Sequence, residues 1–291
     1  MTSSTVRCLV LSDVHASSSP AAETYISTGL SAQRVSRNPM YDLEAWVERN
    51  EPPLDLIVVP GDIADQADGA GLDYAWQRIH RLAEFTGASV VASPGNHDLV
   101  THTETNDPRA LLKKLDPPFP FRDHNVCSDF WKEGIAIIEG ATWRVLLVDS
   151  TFDFPDWPVQ GKADPGWDAY LEALNRGGFT SQQEATAEAL LSRMDQKVNI
   201  CLLHHHPLEH QMRHFLQDGY GSMRRGGDLI DLLTRHPRAG RWLVIHGHKH
   251  IPQLVNATAA SSNGPSILCA ASLGGQLWPP ISTTASNQFH I

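Results

Sequence analysis

Two histidines separated by a glycine, His246-Gly247-His248, directly follow the apolar run Trp242-Leu243-Val244-Ile245. A strand that ends in a tight loop fixes where ring nitrogens point, and neutral imidazole is a ligand for divalent transition metals. The same construction occurs four times upstream. Asp13-Val14-His15 follows Cys8 to Leu11, and Gly61-Asp62 follows Leu56 to Val59. Gly95-Asn96-His97-Asp98 follows Ser89 to Ala92, and His204-His205-His206-Pro207 follows Ile200 to Leu203. Taken singly, Asp62 after a glycine reads equally well as a turn residue, and Asn96 as a turn former. Together, five apolar runs ending in oxygen and nitrogen ligand types predict one metal cluster at one edge of a sheet. Carboxylate and amide oxygens mixed with imidazoles, without thiolate, suit Mn, Fe, Zn, Co or Ni rather than Ca or a cysteine-bound structural zinc.

The elements that must position these groups alternate. Strands are expected at 7–11, 55–59 and 89–92, with a short helix over 42–50 and a long one over 71–86, whose apolar stripe includes Trp76 and Ile79. Near-continuous Val/Ile/Leu runs indicate parallel or mixed pairing covered on both faces. Pro108 opens an expected helix to Leu115. Residues 134–139 and 141–149 read as paired strands, 152–178 as an irregular excursion with one helical turn near 170–174. Ser181-Gln182-Gln183-Glu184 fits a capping box for a helix to Met194. Strands over 199–203 and 242–246, a helix over 228–233, and closing strands over 251–255, 266–270 and 287–291 complete two packed sheets flanked by helices.

Candidates for one site run from Asp13 to His248, so the 291 residues are expected to form a single domain, 1–291. A hydrophobic fraction of 41% is ample for one core at this length. The net charge of −10 disfavours anionic membranes and nucleic-acid polymers, although bound cations would dominate the field locally. Four cysteines without CxxC spacing imply buried thiols in a reducing compartment. The first apolar run is too short for a signal-peptide core and no run reaches membrane length, so a soluble, cytoplasmic protein is expected.

In order along the chain, Asp13-x-His15, Gly61-Asp62-x-x-Asp65, Gly95-Asn96-His97-Asp98, the His-x-Pro of His205 to Pro207 and the Gly-His-x-His at Gly247 resemble the five blocks of the calcineurin-like metallophosphoesterase superfamily. The resemblance implies an α/β fold, a four-layer αββα sandwich of two mixed sheets with a dinuclear site at the C-terminal ends of the strands. It implies two divalent transition-metal ions as cofactors. One would take Asp13, His15 and His248, the other Asn96, His205 and His246, with Asp62 bridging. A shared hydroxide would attack phosphorus in line, with His97 as general acid and Asp98 orienting its ring. The His-x-Pro alignment selects His205 over His204; Asp65 reads as a supporting or helix-capping group, and His250 as a rim residue.

The continuation after Asp62 lacks the Asp-Arg-Gly of protein Ser/Thr phosphatases, and Asp98 stands where those carry Glu. The pattern is closer to bacterial phosphodiesterases of the cyclic-nucleotide and glycerophosphodiester type. The expected function is therefore a metal-dependent phosphodiesterase acting on a small-molecule phosphoester; a phosphomonoesterase and a non-catalytic metal-binding scaffold are the alternatives. A lid or insert near 208–227 would bring Arg213, His214, Tyr220, Arg224 and Arg225 to the substrate. Arg34, Arg37 and the segment Trp157 to Trp167 are candidates for the pocket rim or for a homo-oligomer contact.

Overall fold

A computed structural model describes residues 5–20, 22, 24–28, 38–101, 107–154, 164–192, 197–210, 221–236, 240–257, 264–275 and 288–291. Arg34, Arg37, Trp157, Arg213, His214 and Tyr220 lie outside them.

The first half is a βαβαβ run. Strand β1 (Cys8–Val10) leads to helix α1 (Pro39–Asn50), then β2 (Leu56–Val59), α2 (Gly69–Thr86) and β3 (Ser89–Ala92). Each helix begins before its apolar stripe because a side chain caps it: Asn38 accepts from the Met40 N–H, and Asp68 from the Gly71 N–H. The three strands pair in parallel in the order β1-β2-β3, and His290 adds an antiparallel bridge to Val10.

Helix α3 (His124–Glu133) lies where no helix was expected. Its residues are weak helix formers, but Asp123 accepts from the N–H groups of Asn125 and Val126, and Cys127 and Phe130 bury one face. The helix expected over 108–115 is instead a turn with one 3-10 stretch, Leu112–Lys114. There the Asp107 side chain holds the Arg109 N–H, and the Arg109 guanidinium is drawn to Asp149 and Thr151.

The second sheet has β4 (Ile135–Glu139), β5 (Trp143–Val148), β6 (Val198–Leu202), β7 (Trp242–His246), β8 (Gln253–Asn256) and β9 (Ser266–Cys269), in the order β4-β5-β6-β7-β9-β8. Its inner four strands are parallel and its two edges antiparallel. Helix α4 (Trp167–Arg176) and α5 (Ser181–Leu191) fall between β5 and β6, and α6 (Gly226–Arg235) between β6 and β7. The irregular excursion thus holds a 10-residue helix rather than one turn. The capping box of α5 is Thr180 with Gln183, one residue earlier than the expected pair.

Strand periodicity assigns the layers. Val145, Leu147, Ile200, Leu202 and Ile245 join the core shared with Leu9, Ile57 and Val91 of the first sheet. Leu146, Val148, Cys201 and Val244 face the other way, onto Ala187 and Leu191 of α5 and Leu229 and Leu233 of α6. With α1 and α2 covering the first sheet, the result is an α/β fold with two sheets flanked by helices. Every parallel strand runs the same way, so their C-terminal loops meet at one edge. All four cysteines are free thiols, and no described helix is long and apolar enough to cross a membrane.

His80 of α2 is buried edge-on against Trp76, 4.6 Å between ring centroids, and neither ring nitrogen has a partner among the described residues. Burial, then the nearby Arg122, pulls its pKa down to about 4. The unfolded chain therefore binds the proton first. Stability from a neutral His80 is complete above the ordinary histidine value of 6.5 and is lost as pH falls towards about 4, on the order of 1–2 kcal/mol with nearby solvent allowed for. Thermal melts of His80→Leu and the parent at pH 8 and pH 5 should diverge, the parent losing more on acidification; parallel losses would refute this.

Candidate metal centre

Asp13 leaves the end of β1, Asp62 the end of β2 and Asn96 to Asp98 the end of β3, while His204 leaves β6 and His248 follows β7. Asp13, His15, Asp62, His248 and His250 all adopt positive φ, between 47° and 72°. Left-handed backbone costs a non-glycine residue about 1 kcal/mol or more, and such turns concentrate at functional sites. Close approach of the loops requires glycine at two points. A Cβ on Gly95 would stand 2.1 Å from Asp62 Oδ1, and one on Gly247 would stand 2.2 Å from Ser12 Oγ and 2.5 Å from Asp13 Oδ2.

Two pockets of ligand atoms share Asp62. In the first, His15 Nε2 lies 3.1 Å from His250 Nε2, His250 Nε2 lies 3.4 Å from Asp13 Oδ1, and His15 Nε2 lies 3.6 Å from Asp62 Oδ2. In the second, Asn96 Oδ1 lies 2.9 Å from His204 Nε2 and 3.0 Å from His248 Nδ1, and His204 Nε2 lies 3.3 Å from Asp62 Oδ2. His204 Nδ1 donates to the Pro60 carbonyl at 2.7 Å, so in the neutral ring Nε2 is a lone pair facing two oxygens. Without an ion, that nitrogen carries a proton to face Asn96 and Asp62, and a divalent cation would take the proton's place. Burial works against a charge on His204, yet Asp62 outweighs it and raises the ring to about 9. Burial likewise opposes charge on Asp62, and His204 and His97 hold its carboxyl well below the usual range. Burial, then Lys249, keeps His248 neutral. The donor set therefore fits divalent ions: the Asp13–His15–His250, Asp13–Asp62–His204 and His204–His205–His248 groups each keep their ligand atoms within 4.8 Å.

Of the residues singled out from the sequence, Asp13, His15, Asp62, Asn96, His97 and His248 come together here. His204 and His250 join them. His205 stays beside them, its ligand atom within 4.8 Å of those of His204 and His248, while His246 hydrogen-bonds within its own loop. Leu202 faces the inter-sheet core and Leu203 the opposite layer, so His204 and His205 leave the strand on opposite sides, their ring centroids still 5.0 Å apart. The His205 ring is within reach of His204 and His248, but its Nε2 donates to the Leu174 carbonyl at 3.0 Å and its Nδ1 lies 2.9 Å from Ser150 Oγ. Burial, then His204, pulls this ring down to about 3. His246 shares the parity of Val244, and its Nδ1 donates to the Gly247 carbonyl at 3.0 Å. The Gly-His-x-His spacing from Gly247 already contained the signal for His250.

His97 is about one-third exposed, and its Nδ1 lies 3.2 Å from Asp65 Oδ1. Its N–H donates to Asp62 Oδ1 at 2.8 Å. Asp65 rather than Asp98 thus faces the ring. Asp98 is buried and accepts from the N–H groups of Ala64 and Gly95, both at 2.9 Å, which pins the loops after β2 and β3 together; burial, then Asp62, pushes its carboxyl up to about 7. Of the expected lid, Arg224 is bound to Asp153 and the Gly177 carbonyl, and Arg225 to Asp228, Glu184 and Ser181. These arginines hold the segment onto α5 and the loop after β5.

A two-sheet α/β fold whose strand ends gather aspartates, an asparagine and histidines into two adjoining pockets defines a dinuclear metallohydrolase. Residues 6–252 match the calcineurin-like phosphoesterase family, and the chain belongs to that family. No curated protein sequence gives a significant match. Among solved structures, the chain resembles a dimetal phosphatase from Danio rerio at 15% identity and TM-score 0.57, covering 92% of this chain and 88% of that one. It also resembles a purple acid phosphatase from yellow lupin (Lupinus luteus) seeds, at 15% identity and TM-score 0.57, covering 99% of this chain and 48% of the lupin protein. At these identities the likeness is one of fold. Calcineurin-like dimetal phosphatases use two divalent metal ions, and the histidine and aspartate clusters here offer ligands for such a pair.

Proposed function

We propose that this protein is a dinuclear metal-dependent phosphodiesterase acting on small phosphodiesters. Asp13, His15 and His250 would hold one ion, Asn96, His204 and His248 the other, with Asp62 between them. Bound, the pair supplies an acidified water and offsets charge on the phosphoryl oxygens. His97, open to solvent on one side, delivers a proton to the leaving oxygen, and Asp65 orients its ring. His205 ties the end of α4 to the site, and Asp98 sets the spacing of the loops that carry Asp62 and His97.

The observation that carries this proposal is the meeting of Asp13, His15, Asp62, Asn96, His204, His248 and His250 at the strand ends, with His97 beside them. The closeness of the motifs to bacterial cyclic-nucleotide and glycerophosphodiester phosphodiesterases supports the same reading. Metal-stripped protein should be inactive on bis(4-nitrophenyl) phosphate. It should recover with Mn²⁺, Zn²⁺ or Fe²⁺ and prefer this diester to 4-nitrophenyl phosphate by about tenfold or more in kcat/KM. A preference for the monoester would make it a phosphatase, and metal binding without turnover of either ester would remove the proposal.

A further inference from the structure

We propose that α4 walls a leaving-group subsite that takes an aromatic or similarly flat apolar alcohol. This rests on reading the centre as a phosphoester hydrolase. The helix is tethered to that centre on two sides. Its Leu174 carbonyl accepts from His205, whose ring centroid lies 4.7 Å from that of His248. Its Tyr170 and Ala173 pack with Phe154 and with Leu99, two residues beyond His97, and Tyr170 Oη donates to the Thr101 carbonyl at 3.4 Å. The helix therefore flanks the loop that carries the proton donor, which is the side from which the leaving group departs.

The helix carries an apolar stripe packed along the Leu99–Phe154–Tyr170–Ala173 cluster. Trp167, Leu171 and Leu174 fall at i, i+4 and i+7, one stripe of a helix, and all three stay partly exposed beside the buried Tyr170 and Ala173. Trp167 stacks on Tyr170, with centroids 5.6 Å apart and planes at 22°. Seven residues of helix rise about 10 Å, so the stripe reaches from beside His205 outward over the length of a ring-bearing alcohol. Arg176 of the same helix is bound to Glu172 and the Ser222 carbonyl. The stripe thus provides stacking and an apolar surface rather than charge, which selects flat rings over polyols.

The test measures KM and kcat of the metal-loaded full chain for bis(4-nitrophenyl) phosphate and ethyl 4-nitrophenyl phosphate, both of which expel 4-nitrophenol. Trp167→Ala and Leu171→Ala should raise KM for both esters by about 5–10-fold with kcat within about twofold, metal affinity should stay at the parent value, and Trp167→Phe should restore KM. A KM rise confined to the bis ester would put the contact on the retained group and overturn the assignment, as would an unchanged KM for both. Parent protein silent on both esters with every metal would overturn the hydrolase reading itself, so the two failures are told apart.

Discussion

Asp62→Ala is expected to lower kcat/KM for bis(4-nitrophenyl) phosphate by about 10³-fold or more and to weaken binding at both metal positions. One carboxylate oxygen, Oδ2, lies 3.3 Å from His204 and 3.6 Å from His15, so it is the ligand atom common to the two pockets. The other, Oδ1, accepts the His97 N–H and sets where the proton donor begins. Removing the side chain leaves buried imidazoles facing one another without the charge that balances the cations. Asp62→Asn separates the contributions, because its amide oxygen can still accept from His97 while the charge is gone. Circular dichroism should report an intact fold in both variants, and metal stoichiometry should fall below two. Turnover near the parent level in Asp62→Ala would end the two-pocket account.

His97→Gln should lower kcat by about 10²–10⁴ for diesters with weakly acidic leaving alcohols, and by much less when 4-nitrophenol departs, since a good leaving group needs little protonation. Asp65→Asn should reproduce the same leaving-group dependence at about tenfold, because Asp65 acts only by orienting the ring. Asp98→Asn should instead lower the melting temperature without steepening that dependence, since both carboxylate oxygens of Asp98 are spent on the Ala64 and Gly95 N–H groups. The decisive measurement is kcat against leaving-group acidity for the three variants. If Asp98→Asn rather than Asp65→Asn steepens it, the role assigned to Asp65 falls.

Several features were legible in the sequence because their causes are local. Continuous β-branched runs such as Leu56 to Val59, bounded by turn residues, read as strands buried on both faces, and all four residues are buried. Trp76 and Ile79 mark the buried face of α2 by helical spacing alone. Helix α3 was not legible, since its stability comes from the Asp123 cap and from burial of Phe130 against distant strands rather than from propensity. Arg224 and Arg225 looked like lid cations, and only folding brings Asp153, Glu184 and Ser181 to meet them.

Five strand-like runs that end in metal-ligand types, in the order of one superfamily, already point to the family and the kind of centre. That information is written in residue type and spacing. How each histidine ring is held depends on contacts that form only on folding. Alternation past the end of β6 turns His204 inward and His205 towards Ser150 and α4. The left-handed turns at His248 and His250 bring both rings back across the sheet edge, while His246 keeps the parity of its strand. A ring's direction depends on sheet faces and on φ, and neither is a property of the residue alone.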